Sequence, residues 1–185
     1  MAEVNTGLIE FVSPSREASV AAGRVLGRAL RTGDVVALDG DLGAGKTTLT
    51  AGIAEGIGCM VPVSSPTFVL AMEHPARAGG LSMRHMDLYR LEGKEDFVEA
   101  GLDEPSGLDI EVVEWAEIAG DAVPSNRIQV AILLEGERCR RIRVHFGPPD
   151  GARRAADLAA GLRDIPGVVL YAPIPSGTNL RWQEE

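Results

Sequence analysis

Residues 35–58 decide the fold: Val35-Val36-Ala37-Leu38-Asp39-Gly40-Asp41-Leu42-Gly43-Ala44-Gly45-Lys46-Thr47-Thr48-Leu49-Thr50-Ala51-Gly52-Ile53-Ala54-Glu55-Gly56-Ile57-Gly58. The run Val35-Val36-Ala37-Leu38 is uninterrupted by polar residues, as in a strand covered on both faces. A glycine-rich turn follows, and Lys46–Ile57 reads as a helix that Gly58 stops. Between strand and helix, Gly40-Asp41-Leu42-Gly43-Ala44-Gly45-Lys46-Thr47 fits G-x-x-x-x-G-K-[ST] with no mismatch. Glycines let such a loop curl until several backbone N–H groups face one anion, and the helix behind it turns its positive end to the same point. Lys46 would reach the β- and γ-phosphates, and the Thr47 hydroxyl would bind Mg²⁺. The chain holds only two lysines, Lys46 and Lys94. Chance would place this pattern in such a composition on the order of 0.002 times. The stretch reads as a nucleotide-binding P-loop.

Outward from the loop, strands and helices alternate. Residues 8–12 read as a strand, and residues 15–31 as a helix, with Ser13 as its N-cap and Pro14 in its first turn. Beyond the P-loop helix, strands are expected at 67–72, 81–88 and 109–114, with a short acidic helix over 94–101. Residues 127–134 and 138–146 alternate in polarity around Glu135-Gly136, a β-hairpin. The order predicts an α/β protein of the P-loop NTPase type: a mostly parallel central sheet, helices on both faces, and a late antiparallel hairpin. Pro148-Pro149 divides the chain into a P-loop ATPase domain, 1–147, and a C-terminal extension, 148–185, with a helix at 152–163, a strand at 168–171 and a tail.

Composition narrows the function. The 185 residues are 45% hydrophobic and 24% charged, so a core can form and wholesale disorder is excluded. The net charge of -9 argues against gripping nucleic-acid backbone as the main task. Cys59 and Cys139 make neither a CxxC pair nor a zinc-ligand spacing, and read as reduced cytosolic thiols. No signal peptide opens the chain and no run is long enough to span a bilayer, which predicts a cytoplasmic protein without a membrane partner.

A P-loop leaves the reaction open until a carboxylate to support Mg²⁺ is found. Asp87 and Glu114 each end an expected strand, and either could serve. Four segments then make a family recognisable: Gly40 through Thr48, Ser65-Pro66-Thr67-Phe68, His85-Met86-Asp87-Leu88-Tyr89-Arg90-Leu91, and Val113-Glu114-Trp115-Ala116-Glu117. In this order and spacing the chain resembles the bacterial TsaE family over residues 8–147. That resemblance implies a Mg²⁺-dependent ATPase needed for threonylcarbamoyladenosine synthesis in tRNA, working with the TsaD and TsaB proteins and meeting tRNA through them. The loop residues Asp41, Leu42, Gly43, Ala44, Gly45, Lys46, Thr47 and Thr48 would hold ATP, with Trp115 beside them. Thr47, Asp87 and Glu114 would hold the metal. Thr67 would sense the γ-phosphate from a switch-like loop, and Glu114 would be needed for hydrolysis. The chain departs from the family at Ala51-Gly52, where an Arg-Gly pair is usual, at Glu73-His74-Pro75, where a tyrosine is usual, and in its extension.

Other residues have plainer readings. His85 is expected to make a structural hydrogen bond, and His74 and His145 to be surface or strand residues. Arg138 and Arg140 share one strand face and Arg141 and Arg143 the other, as on a charge-protected edge strand, or for contact with tRNA or an acidic partner. Glu92, Glu95, Asp96 and Glu99 read as a solvated helix face. A small-molecule kinase would need an acceptor pocket and an arginine lid, which are not evident. A nucleotide-gated scaffold would need no turnover. A GTPase is disfavoured by the lack of Asn-Lys-x-Asp.

Overall fold

The computed structural model describes residues 7–60, 63 and 69–171. Among these, eight strands form one sheet in the order β3-β4-β5-β2-β6-β7-β1-β8. The strands are β1 (Leu8–Ser13), β2 (Val35–Asp39), β3 (Ala71–His74), β4 (Met83–Asp87), β5 (Ile110–Glu114), β6 (Ile128–Glu135), β7 (Cys139–His145) and β8 (Val169–Leu170). The helices are α1 (Arg16–Arg28), α2 (Lys46–Ile57), α3 (Lys94–Glu99), α4 (Ala116–Ala119) and α5 (Gly151–Leu162). β4, β5, β2 and β6 run parallel at the centre, while β3 on one side and β7, β1 and β8 on the other are antiparallel additions. This is the predicted α/β architecture.

Strand alternation sorts the side chains into two cores. Val36, Leu38, Met83, Ile110 and Val112 face α1, α2 and α5, where Leu26, Leu49, Ile53 and Leu158 meet them. Ala37, Met86 and Val113 face the opposite way, against Phe97 of α3 and Ala116 and Ala119 of α4. β2 buries both faces, which is why its sequence shows no alternation.

α1 and α2 lie unusually close. A Cβ on Gly23 would stand 2.3 Å from the Leu49 carbonyl oxygen, and one on Gly52 would stand 2.2 Å from that of Val20. Gly27 and Gly56 repeat the contact one turn along, with Gly27 3.0 Å in the same sense from the Gly56 Cα. The two helices therefore touch backbone to backbone, and this seam fixes α2, and with it the P-loop, against α1.

Several expectations need correction. The N-cap of α1 is Ser15, whose side chain accepts from the Ala18 N–H at 3.1 Å. Ser13 instead closes β1, buried, with its hydroxyl 2.8 Å from that of Ser19. The strand expected at 67–72 is displaced: β3 spans Ala71–His74, and residues 67 and 68 lie outside the described residues. β7 is an interior strand between β6 and β1, not an edge. Arg141 and Arg143 lie on the face opposite α1 and both donate to Glu10, Arg141 at 3.0 Å and Arg143 at 2.6 Å, with Glu135 also paired to Arg141. Beyond Pro149, Ala155, Leu158 and Leu162 of α5 join the main core and β8 pairs with β1. Residues 172–185 lie outside the described residues.

Candidate functional site

The P-loop sits at the carboxyl end of β2, where parallel sheets of this type place their ligands. Gly45 caps α2 with φ 102, a conformation open to glycine and strained for other residues. Gly40 is required for a second reason: a Cβ there would lie 2.4 Å from the Ile132 carbonyl oxygen on β6. The loop is thus pinned against the neighbouring strand at its start and bent into the helix at its end. Lys46, 5% exposed, turns back over the loop and donates to the carbonyls of Gly40 and Asp41, the latter at 3.0 Å. Burial lowers its pKa, while Glu114, Glu117, Asp87 and Asp41 act to raise it. The four carboxylates keep a cation favourable in a place where desolvation opposes it.

The central relationship is between the P-loop and β5. Thr47 Oγ1 donates to Glu114 Oε2 at 3.0 Å, and Thr50 Oγ1 lies 3.3 Å from Oε1. His85 Nε2 is 2.8 Å from the same Oε1. Glu114 is 2% exposed, so among the described residues these three partners answer a buried carboxylate. Asp87 ends β4 directly opposite Glu114 in the parallel register. Its carboxylate accepts the Tyr89 N–H at 3.1 Å. Both acidic residues named from the sequence therefore stand side by side at the strand ends facing the P-loop.

Trp115 follows at φ 58, and among the described residues it alone, glycine aside, has a positive φ. Such a conformation costs of order 1–3 kcal/mol and is held only where surrounding contacts fix it. Here the Trp115 N–H donates to the Leu38 carbonyl at 2.9 Å. The indole lies 3.6 Å under Lys46 Nζ and 5.1 Å from the Tyr89 ring. The strained turn delivers the ring to the P-loop lysine.

Sequence reasoning missed Arg140. Its Nε donates to the Ala44 carbonyl at 2.9 Å and its Nη2 to that of Gly43 at 3.3 Å, while Nη1 bonds Glu137 and Cys139 in its own hairpin. Arg140 thus ties two successive loop carbonyls to the β6–β7 hairpin. Arg138 and Arg140 also line a cavity of about 430 Å³ that reaches Gly43, Gly45 and Thr48 and is bounded by Ser15 and Arg16 at the start of α1. Alternation placed these two arginines on one strand face; Arg138 instead lies in the turn before β7, and only the strand order shows that Arg140 lies over the P-loop. His74 is not a surface residue: it is 2% exposed, its ring lies 6.1 Å from that of His85, and burial, with His85 second, lowers its pKa. Thr67 lies outside the described residues.

The fold and this strand-end arrangement define the class, an α/β protein with the P-loop NTPase architecture. Within that class, the family described as "Threonylcarbamoyl adenosine biosynthesis protein TsaE" matches residues 13–142, and the chain belongs to it. The chain is 44% identical over 118 residues to the tRNA threonylcarbamoyladenosine biosynthesis protein TsaE of Streptomyces coelicolor, covering 60% of this chain and 75% of that one. It is 39% identical over 131 residues to the protein of the same name from Treponema pallidum, covering 69% of this chain and 94% of that one. The crystal structure of Bacillus subtilis YdiB superposes with a TM-score of 0.60 at 30% identity, covering 84% of this chain and 94% of that one. Among the described residues, no helix is long and apolar enough to cross a membrane.

Proposed function

We propose that this protein is a Mg²⁺-dependent ATPase that serves threonylcarbamoylation of adenosine 37 in tRNA as the nucleotide-switched subunit of an assembly with TsaD and TsaB, and not as the transferase. The observation that carries the reading is the 3.0 Å bond from Thr47 to Glu114, which joins the P-loop to a buried strand-end carboxylate. P-loop hydrolases need this pairing of loop hydroxyl and acidic strand end.

The residues fit ATP and Mg²⁺. Thr47, Glu114 and Asp87 supply hard oxygen donors, and no described group of three or more His, Cys, Asp or Glu forms a closed metal cage. Mg²⁺ favours this kind of sparse site, holding one or two protein ligands together with phosphate oxygens and water. When bound, the ion would neutralise charge developing on the transferred phosphoryl group. Loop N–H groups and Lys46 would bind the phosphates, and the cavity beside Gly43 and Thr48 would receive the nucleoside end. Glu114 would orient the attacking water. Thr67 would report the γ-phosphate to the switch loop, so that phosphate loss resets the assembly.

The test is Mg-ATP turnover by the purified chain, alone and with the TsaB–TsaD pair, with Lys46→Ala as control. Turnover that rises with the partners and disappears in the control is expected. Turnover indifferent to the partners would overturn the assembly-coupled reading. A Glu114→Gln protein that binds ATP without hydrolysis yet supports tRNA modification would establish a scaffold instead.

A further inference from the structure

We propose that His85 is a positioning residue: its Nε2–H holds the Glu114 carboxylate in the orientation that meets Thr47. Glu114 as a carboxylate can only accept, so at 2.8 Å the histidine must be the donor. Both groups are closed off from solvent, His85 at 0% and Glu114 at 2% exposure. The carboxylate's two oxygens are divided between partners. Oε2 takes the Thr47 hydroxyl, while Oε1 takes His85 and lies 3.3 Å from the Thr50 hydroxyl, whose single proton is shared with the nearer Lys46 carbonyl at 3.0 Å. Loss of the histidine donor would leave Oε1 to the weaker contact and free the carboxylate to rotate about its last bond.

Packing alone does not explain this histidine. His85 lies on β4, between Met72 of β3 and Val112 of β5 in the ladder, and Met83, two residues before it on the same strand face, is apolar. Its Nδ1 is buried with no hydrogen-bond partner among the described residues, and a ring nitrogen left so costs roughly 1–3 kcal/mol. An apolar residue would avoid that cost. What the imidazole adds is a rigid donor at one point, the Glu114 oxygen, and partners that orient a ligand in this way are typically worth about 10–100-fold in metal affinity or activity.

The turnover arm of the test rests on the hydrolase reading; the binding arm does not. The full chain is compared with His85→Gln, His85→Asn and His85→Leu. Glutamine places an amide donor near the Nε2 position, whereas asparagine places it near Nδ1. Mg-ATP turnover and mant-ADP affinity, with and without Mg²⁺, are measured for each. The expected result is turnover within a few-fold of wild type for glutamine and about 10–100-fold lower for asparagine and leucine, with Mg-free mant-ADP affinity unchanged throughout. Leucine turning over like wild type would overturn the proposal, as would glutamine and asparagine falling equally. Should the leucine protein fail to fold, the glutamine–asparagine pair decides alone. Should wild type bind nucleotide without hydrolysing it, the hydrolase reading fails by itself. The gain in mant-ADP affinity on adding Mg²⁺ then decides: its loss in asparagine but not glutamine supports the positioning role, and its persistence in both overturns it.

Discussion

Thr47 and Glu114 are 67 positions apart in the chain and 3.0 Å apart in the folded protein. The bond spans the parallel register that sets Leu38 of β2 beside Glu114 of β5, with the P-loop leaving from the end of β2. Replacing Glu114 by glutamine preserves volume and one acceptor while removing the charge. Nucleotide affinity without Mg²⁺ should change by no more than a few-fold, and Mg-ATP turnover should fall about 10²-fold or more, the scale of a lost acid–base group. Equal losses in affinity and turnover would show instead that Glu114 serves binding.

Lys46 and Trp115 make a spectroscopic handle. The cation lies 3.6 Å over the indole, where a cation–π contact is worth about 1–2 kcal/mol when shielded from water. Phosphates bound at the loop would compete for the same ammonium. In a Trp182→Phe background, adding ATP should change Trp115 emission, and the change should vanish in Lys46→Ala. An emission unaffected by saturating ATP would show that the lysine keeps its place over the ring.

Arg140 should govern how well the P-loop is formed. Its guanidinium holds the Ala44 and Gly43 carbonyls at 2.9 and 3.3 Å. Hydrogen bonds from a charged donor contribute about 1.5–3 kcal/mol, so Arg140→Gln should weaken ATP binding about 10-fold or more. Melting temperature serves as the control. Weaker binding at unchanged stability supports a clamp on the loop; unchanged binding would reduce the contact to packing.

How much of this was legible beforehand depends on the kind of signal. β2, the P-loop and α2 could be read because a buried strand, a glycine turn and a capped helix follow one another within 24 residues, and α2 begins and ends at Lys46 and Ile57 as expected. Asp87 and Glu114 were legible as acidic residues at the ends of expected strands, though not as register partners. Arg140 and His74 were misread for want of long-range information. Nothing local tells that β7 lies inside the sheet, or that β3 pairs with β4 and carries His74 inward. Ser13 was misplaced because Ser13 and Ser15 flank the same proline, and only the end of β1 decides between them. The spacing of Gly23, Gly27, Gly52 and Gly56 was visible, but its meaning requires two helices to be seen crossing.

That crossing yields a stability prediction. Gly52→Ala would ordinarily stabilise a helix by about 1 kcal/mol. Here the added methyl carbon would stand 2.2 Å from the Val20 carbonyl oxygen and 2.9 Å from the Gly23 Cα. Both obstacles are backbone, so the helices must part, and overpacking of this kind costs about 1–3 kcal/mol or more. The clash outweighs the propensity. Chemical denaturation should show a net loss of about 1 kcal/mol or more, with ATP binding weakened as α2 shifts. A Gly52→Ala protein as stable as wild type would mean the seam is looser than its geometry.

Cys59 gives the pH dependence. Burial pushes its thiol up to about 11 from an ordinary 9.0. The native state therefore keeps a proton that the unfolded chain releases between these two values. Unfolding then binds fewer protons than folding holds, and stability must fall as pH rises from about 9 to 11. Cys59→Ala removes the titrating group and should flatten that part of the stability curve, at the cost of the contacts the sulfur makes, 3.9 Å to the His74 carbonyl and 3.8 Å to that of Leu81. The same protonation protects the thiol from alkylation, because the thiolate is the nucleophile. At pH 8, iodoacetamide should label Cys59 far more slowly in the folded protein than in urea. Labelling at equal rates would show that the region around β3 opens readily enough to expose the sulfur.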